Sequence, residues 1–413
     1  MRTVKFQVEH FGPIHGGTVN GSIEFKKVLI LIGNQATGKS SIAKLISTIS
    51  WIEKSVYKKE LTAEEVSAGT RFRKKYCDFQ GINEFFTPET YIHYEGAYID
   101  LVYKDSNVSI VEKNILDYAP PKIMYVPAER NLVSVVWEAS QLRYLPSPLY
   151  TFLDEFEAAK RQLSDMVDIP IAGASFSYDP QSKMSFIKGN DYRVKLQFAS
   201  SGIQSLLPLF LVSKYLSESL GKDNGGSHQP ISLAQEMRVR SEIESLLSTT
   251  EDITSNAKQV LIDRLNAFYR YEAFINIVEE PEQNLYPTSQ QSLLYELFKF
   301  ARAAEANRLI MTTHSPYIIN YTTLAIKAEE VHRKMNGVSD LNGLKNKLAG
   351  IVPLTATLPV DQVSIYEIDE AGTVKALPNA YGIPSDDNYL NELLEATNHS
   401  FDQLLEIEEE VAD

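Results

Sequence analysis

GNQATGKS, residues 33–40, decides the reading of this chain: Gly33, Asn34, Gln35, Ala36, Thr37, Gly38, Lys39, Ser40. Five apolar residues, Val28 to Ile32, precede it and read as a buried strand. Ile42, Leu45, Ile46 and Ile49 follow it at the spacing of a helix face. Strand, glycine-bounded loop and helix, in that order, is the setting in which G-x-x-x-x-G-K-[ST] cradles phosphate. Such a loop turns backbone N–H groups inward at the positive end of a helix dipole. Lys39 is expected to reach the terminal phosphates and the Ser40 hydroxyl to hold Mg²⁺, with Ser41 completing the site.

A phosphate loop alone does not separate kinases, GTPases and ATPases, but three further stretches narrow the choice. In FINIVEEPEQNLYP (274–287) an apolar strand ends on Glu279 and Glu280. Two carboxylates there divide the labour: Glu279 on the metal, Glu280 polarising the attacking water. In MTTHSPY (311–317) a second strand ends at His314, whose neutral imidazole would hydrogen-bond the γ-phosphate or that water. In ASSGIQSLLPLF (199–210), Ser200, Ser201 and Gly202 open an apolar helix. The Ser200 hydroxyl is placed to cap it, and the following N–H groups offer another anion site.

Residues 1–32 read as two or three strands with a turn at Asn20-Gly21, and helix follows the loop to about Ser55. Residues 91–126 alternate as strands, and 174–198 read as a hairpin. Helical insertions are expected at about 56–90, 132–168 and 208–273, with a loop at 221–230. Arg71, Arg73, Lys74 and Lys75 form a nucleic-acid candidate, or a solvated face.

With 413 residues, 44% of them apolar, the chain fills a sizeable core. No apolar run approaches the ~20 residues of a membrane span. The charged, alternating start MRTVKFQVEHFGPI lacks a secretory h-region, and the single Cys77 fits a reducing compartment, so a cytoplasmic location is expected. The net charge of -14 is concentrated in ten acids after Ala376, leaving about -4 for the rest. That balance argues against unspecific coating of DNA. The acidic tail reads as a solvated helix face or as a dock for a basic partner.

Phosphate loop, serine-glycine stretch, acidic pair followed by NLYP, and TTHSP, in this order, resemble the ABC-type ATPases, and more narrowly the branch of RecF, SMC and the OLD proteins. The resemblance covers about residues 3–50 and 190–325. It implies an α/β ABC-ATPase head over 1–325: a RecA-like mixed sheet with flanking helices, an antiparallel β subdomain and helical insertions. A C-terminal α/β extension would fill 326–413. It implies ATP and Mg²⁺, with Lys39 and Ser40 as Walker A, Glu279 and Glu280 as Walker B, His314 as switch histidine, Ser200-Ser201-Gly202 as signature and Asn284 to Pro287 as D-loop. In that family two heads face each other, and the signature serine of one completes the site of the other, so a homo-oligomer of head-to-head dimers is expected.

The chain also departs from the pattern. Glu279 stands where Asp is usual, and its extra methylene loosens metal coordination or routes it through water. Ile203 replaces a usual Gln or Glu, and Glu129 and Arg130 of VPAERN, after a buried strand, read either as the Gln loop or as a stray charged loop. The span between Walker A and signature is too mixed for SMC-like coiled-coil arms, and residues 326–413 show no clear Toprim set. A compact ATPase of this kind resembles the ATPase subunits of two-gene anti-phage defence systems, such as PtuA of Septu and AriA of PARIS. The expectation is a slow ATPase switch controlling a separately encoded nuclease or toxin, triggered by DNA or a phage protein. The alternatives are a RecF-like DNA-repair clamp and a scaffold that retains ATP with little turnover.

Overall fold

The computed structural model describes residues 3–412 apart from 20, 116, 137–143, 172, 221–270, 336–340, 381–382 and 386–387. Its centre is strand β4 (Val28–Gly33), buried along its whole length. An unbroken apolar strand of this kind belongs inside a sheet covered on both faces. β4 pairs in parallel with β14 (Arg308–Thr313) on one side and with β15 (Val363–Ile368) on the other. β13 (Ala273–Glu279) and β8 (Pro121–Val126) extend the parallel run beyond β14. β16 (Thr373–Ala376), antiparallel to β15, and the short β2 (Gly17–Thr18) complete the other edge of a seven-stranded mixed sheet.

The period-two alternation of β4 splits its side chains between two cores. Leu29 and Leu31 face helix α1 (Lys39–Tyr57) and a five-stranded antiparallel sheet. That sheet runs in the order β3 (Ile23–Phe25), β1 (Val4–Phe11), β5 (Phe86–Glu95), β6 (Ile99–Lys104), β7 (Asn107–Glu112). Wedged between two sheets, α1 is buried on nearly every side, even at Glu53, whose carboxylate accepts from Tyr94 Oη and the Tyr98 and Ile99 amides. Val28, Ile30 and Ile32 join the opposite core, against α4 (Ser147–Arg161), α5 (Ser201–Ser219), α6 (Pro287–Arg302) and α7 (Pro316–Lys334). Among the described residues no helix is long and apolar enough to cross a membrane.

The mixed α/β class is as expected, but several local expectations change. The stretch expected as a helical insertion over 56–90 holds only a five-residue helix, α2 (Ala63–Ser67), a π-helical turn at Phe72–Cys77 and a 3₁₀ turn, and β5 begins at Phe86. The hairpin expected at 174–198 is part of a four-stranded sheet. Residues 326–413 do not stand apart as an extension. The boundary at 325 falls inside α7, and β15 lies next to β4 in the central sheet, so the C-terminal stretch completes the main core. Most of the insertion expected at 208–273, with the loop at 221–230, lies outside the described residues, as do Asn20, Asp386 and Asp387.

Candidate active site

Parallel pairing brings the carboxyl ends of four strands to one edge. Ile32 of β4 is level with Thr313 of β14, Thr312 with Glu279 of β13, and Gly33 with Ile368 of β15. The 33–40 loop, Glu280 and His314 therefore leave neighbouring strand ends, where open α/β sheets take their ligands. Gly33 sits at φ 145°, where a Cβ would lie 2.3 Å from the Ile368 carbonyl oxygen, so only glycine fits. Gly38, at φ 103°, caps α1 with no side-chain bond to the first-turn amides. Those amides remain open to an anion. Lys39 is buried, and its Nζ folds back to donate to the Gly33 and Asn34 carbonyls at 2.9 and 2.5 Å. Burial lowers its pKa to about 8, while Glu280 and Glu282 pull it upward. The Thr37 hydroxyl donates to Asn34 O, and the Gln35 amide to Asn34 Oδ1.

Glu280 and His314 face each other, with Oε1 and Nε2 3.5 Å apart and both side chains part-exposed. The imidazole beside it holds the Glu280 carboxyl below the usual range, against the upward push of burial. Glu280 has φ 43°, a left-handed conformation that costs an ordinary residue roughly 1 kcal/mol or more. Glu279 points elsewhere. It is buried; its Oε1 accepts from Tyr125 Oη at 2.5 Å and its Oε2 from the Ala128 amide at 3.2 Å. The carboxylate expected on the metal thus also pins the 127–131 loop.

Sequence reasoning missed Glu282. Its Oε1 accepts from the His314 amide at 2.7 Å and from Thr313 Oγ1 at 2.8 Å, tying the two strand-end turns together, while its Oε2 is buried without a hydrogen-bond partner. Burial raises its pKa. An acid two residues beyond an acidic pair at a strand end was the available signal. Tyr125, in an apolar strand, carried none beyond the need of a buried phenol for a partner.

Of the pair offered for the Gln loop, Glu129 is exposed and Arg130 fully buried. The Arg130 guanidinium donates to Glu279 O at 2.7 Å, Glu280 O at 2.6 Å and Ser205 O at 3.1 Å. Burial lowers its pKa to about 10, with the surrounding carboxylates opposing. Ser200 is the N-cap residue of α5, but its side chain makes no capping bond, which corrects the expected hydroxyl cap. Ser200 and Ser201 are exposed, and the contact made by Gly202 is with the turn after Glu280: a Cβ there would meet Asn284 O at 2.9 Å. The structure thus gathers Gly33 to Ser41, Glu280 and His314 at one edge and leaves Ser200 and Ser201 facing solvent.

A second unexpected neighbour is the C-terminal stretch. Asn34 Nδ2 donates to Tyr389 Oη at 2.8 Å, at the start of the last helix (Tyr389–Ala412). Asn34, Glu367, Asp369, Glu370, Tyr389 and Glu392 line a cavity of about 380 Å³ there. Arg71, Lys74 and Lys75 are exposed around the Phe72–Cys77 turn.

No curated protein matches the chain in sequence. Among solved structures, the SMC head domain from Thermotoga maritima gives a TM-score of 0.37 at 10% identity, over 92% of this chain and 100% of that one. An Smc head with an extended coiled coil, bound to the C-terminal domain of ScpA, from Pyrococcus furiosus, gives 0.38 at 10% identity over 100% and 99%. A dimeric post-hydrolysis ATP-binding cassette with ADP and Pi gives 0.30 at 9% over 91% and 100%. Likenesses this loose say nothing of activity. Residues 275–320, which carry Glu279, Glu280 and His314, match the family model described as "AAA domain, putative AbiEii toxin, Type IV TA system".

Proposed function

We propose that the chain is an ATP-hydrolysing switch whose site is completed by a second copy. The observation that carries this reading is the meeting of an uncapped helix amino terminus, the Lys39 ammonium and the Glu280–His314 pair at adjacent strand ends. The open amides of α1 and Lys39 suit a polyphosphate. Ser40 would hold Mg²⁺, with Glu279 serving it through the lone pairs that Tyr125 and Ala128 leave free. The metal, when bound, neutralises charge on the phosphates. Glu280 is the base for the attacking water: its carboxyl is held ionised by His314, and it leaves the sheet in a fixed, strained turn. His314 orients that carboxylate and offers a proton or hydrogen bond on the phosphate side.

Ser200 and Ser201, exposed at the start of a 19-residue helix, supply the second anion site. They lie on α5 rather than on the loop edge, which favours their use on the nucleotide of a facing copy. We place this clamp in bacterial defence, where its closing would govern a separately encoded nuclease or toxin. The support is the order of motifs and the match of 275–320 to a family described by a toxin–antitoxin system. A RecF-like DNA clamp is the second reading, favoured by the exposed Arg71, Lys74 and Lys75.

The test compares wild type, Lys39→Ala and Glu280→Gln. Wild type should release phosphate from ATP. Lys39→Ala should lose nucleotide binding. Glu280→Gln should keep binding, lose at least about 10²-fold in turnover and accumulate as an ATP-dependent oligomer on gel filtration. Equal turnover in wild type and Glu280→Gln would refute the assignment.

A further inference from the structure

Arg130 is the largest fully buried polar side chain among the described residues, and it touches three elements at once. Its Nη1 and Nη2 hold the last carbonyl of β13 and the carbonyl of Glu280; its Nε holds Ser205 O, one turn into α5. Around it the same two elements are tied again. Asn284 Nδ2 donates to Ser205 Oγ at 2.9 Å, and Gly202 packs against the Asn284 carbonyl with no room for a side chain. Ser134 Oγ, just after the Arg130 loop, donates to Gln204 O at 2.7 Å. The loop itself is fixed by Glu279 through Tyr125 and Ala128. A planar guanidinium presents its donors in one rigid fork. A shift of Ser205 therefore reaches the Glu280 peptide without slack.

We propose that Arg130 is the positioning residue that couples the start of α5, with Ser200 to Gly202, to the turn that aims Glu280. The proposal rests on the ATPase reading above. When the start of α5 engages nucleotide on a second copy, Arg130 draws the 279–284 turn with it and sets the Glu280 carboxylate for the attacking water. Hydrolysis then depends on the presence of the second copy, though no residue of α5 touches the water. Arg130 touches no substrate atom itself.

Lysine at 130 keeps the charge but has no fork; glutamine keeps amide donors and removes the buried charge. Arg130→Lys and Arg130→Gln should bind a fluorescent ATP analogue within about threefold of wild type, because Lys39 and α1 are untouched. Turnover should fall at least tenfold. In the Glu280→Gln background the concentration needed for ATP-dependent self-association should rise at least tenfold. A merely structural role would instead weaken nucleotide binding, turnover and thermal midpoint together; that pattern, or wild-type turnover in Arg130→Lys, overturns the proposal. Hydrogen exchange on the unsubstituted chain tests it even if both variants misfold. ATP should protect the amides of 201–206 and 280–285 together, and protection of one segment without the other overturns it. Wild type lacking Lys39-dependent turnover would sink the ATPase reading; intact wild-type turnover with an indifferent Arg130→Lys sinks the coupling alone.

Discussion

On the proposed ATPase reading, the burial of Lys39 makes nucleotide affinity a function of pH, with a sign fixed by the surrounding groups. In the free protein the ammonium has a pKa of about 8, lowered by burial and held up in part by Glu280 and Glu282. A bound triphosphate would set negative charge beside it and return the pKa toward the ordinary lysine value of ~10.4. Binding between those values takes up one proton. The observed affinity scales with the fraction of free protein already protonated. It is flat below pH ~7.5 and falls by one log unit per pH unit above ~8. From pH 7 to pH 9 the loss is about tenfold, ~1.4 kcal/mol. The phosphate's own last proton, with a pKa of ~6, is gone over this window and adds no slope.

Titration of a fluorescent ATP analogue at constant ionic strength gives the slope. Calorimetry at pH 8.5 in two buffers of different ionisation enthalpy counts the proton. Lys39→Arg, which stays charged throughout, should flatten the curve. Glu280→Gln removes a carboxylate that favours the charged lysine, so it should move the onset to lower pH. Affinity unchanged between pH 7 and 9, or proton release on binding, would refute the reasoning. In the free protein the same shift acts on folding in the opposite direction. The unfolded chain holds the Lys39 proton to higher pH than the folded one, so the contribution of Lys39 to stability rises from pH ~8 toward ~10.5.

His314→Ala removes the main cause of the low Glu280 pKa and leaves burial, which raises it. The acid limb of the pH–rate profile should therefore move to higher pH, and a limb that stays in place would show that His314 does not hold Glu280 ionised. Glu279→Gln turns an amide donor toward Tyr125 Oη or the Ala128 N–H, both already donors. It should cost about 1–3 kcal/mol in urea unfolding without metal or nucleotide; unchanged stability with loss only of Mg²⁺-dependent turnover would make Glu279 a metal ligand and no more. Gly33→Ala forces a Cβ into the Ile368 carbonyl at φ 145° and should displace the loop, with a loss of about 1–3 kcal/mol and of nucleotide binding. Wild-type nucleotide affinity in that variant would show that the loop tolerates a side chain there.

The sequence is most legible where one local rule fixes the outcome. The loop at 33–40 could be read because its glycines, lysine and flanking periodicities all act within about twenty residues. Glu280 and His314 could be read because each ends an apolar strand, and parallel pairing then places such ends side by side. The misses arise where distant segments meet. Nothing near Arg130 in the chain says that its guanidinium will collect carbonyls from residues 205, 279 and 280. VPAERN reads equally well as a stray charged loop until β8 and β13 pair and Arg130 is buried, with Glu129 left exposed. Likewise 326–413 reads as an extension because the motifs of the resemblance end before residue 326 and the stretch from Ala376 resembles a solvated acidic end. Yet Val363 to Ile368 form the strand beside β4, and Tyr389 returns to hold Asn34. Long-range pairing therefore makes an arginine in a loop a neighbour of Glu280, and a tyrosine that no local pattern singled out a neighbour of the 33–40 loop. Control of the site is then expected in those contacts, since Lys39, Glu280 and His314 are fixed by their own strand ends, while Arg130 and Asn284 tie the Glu280 turn to α5 and Tyr389 ties the 33–40 loop to the last helix.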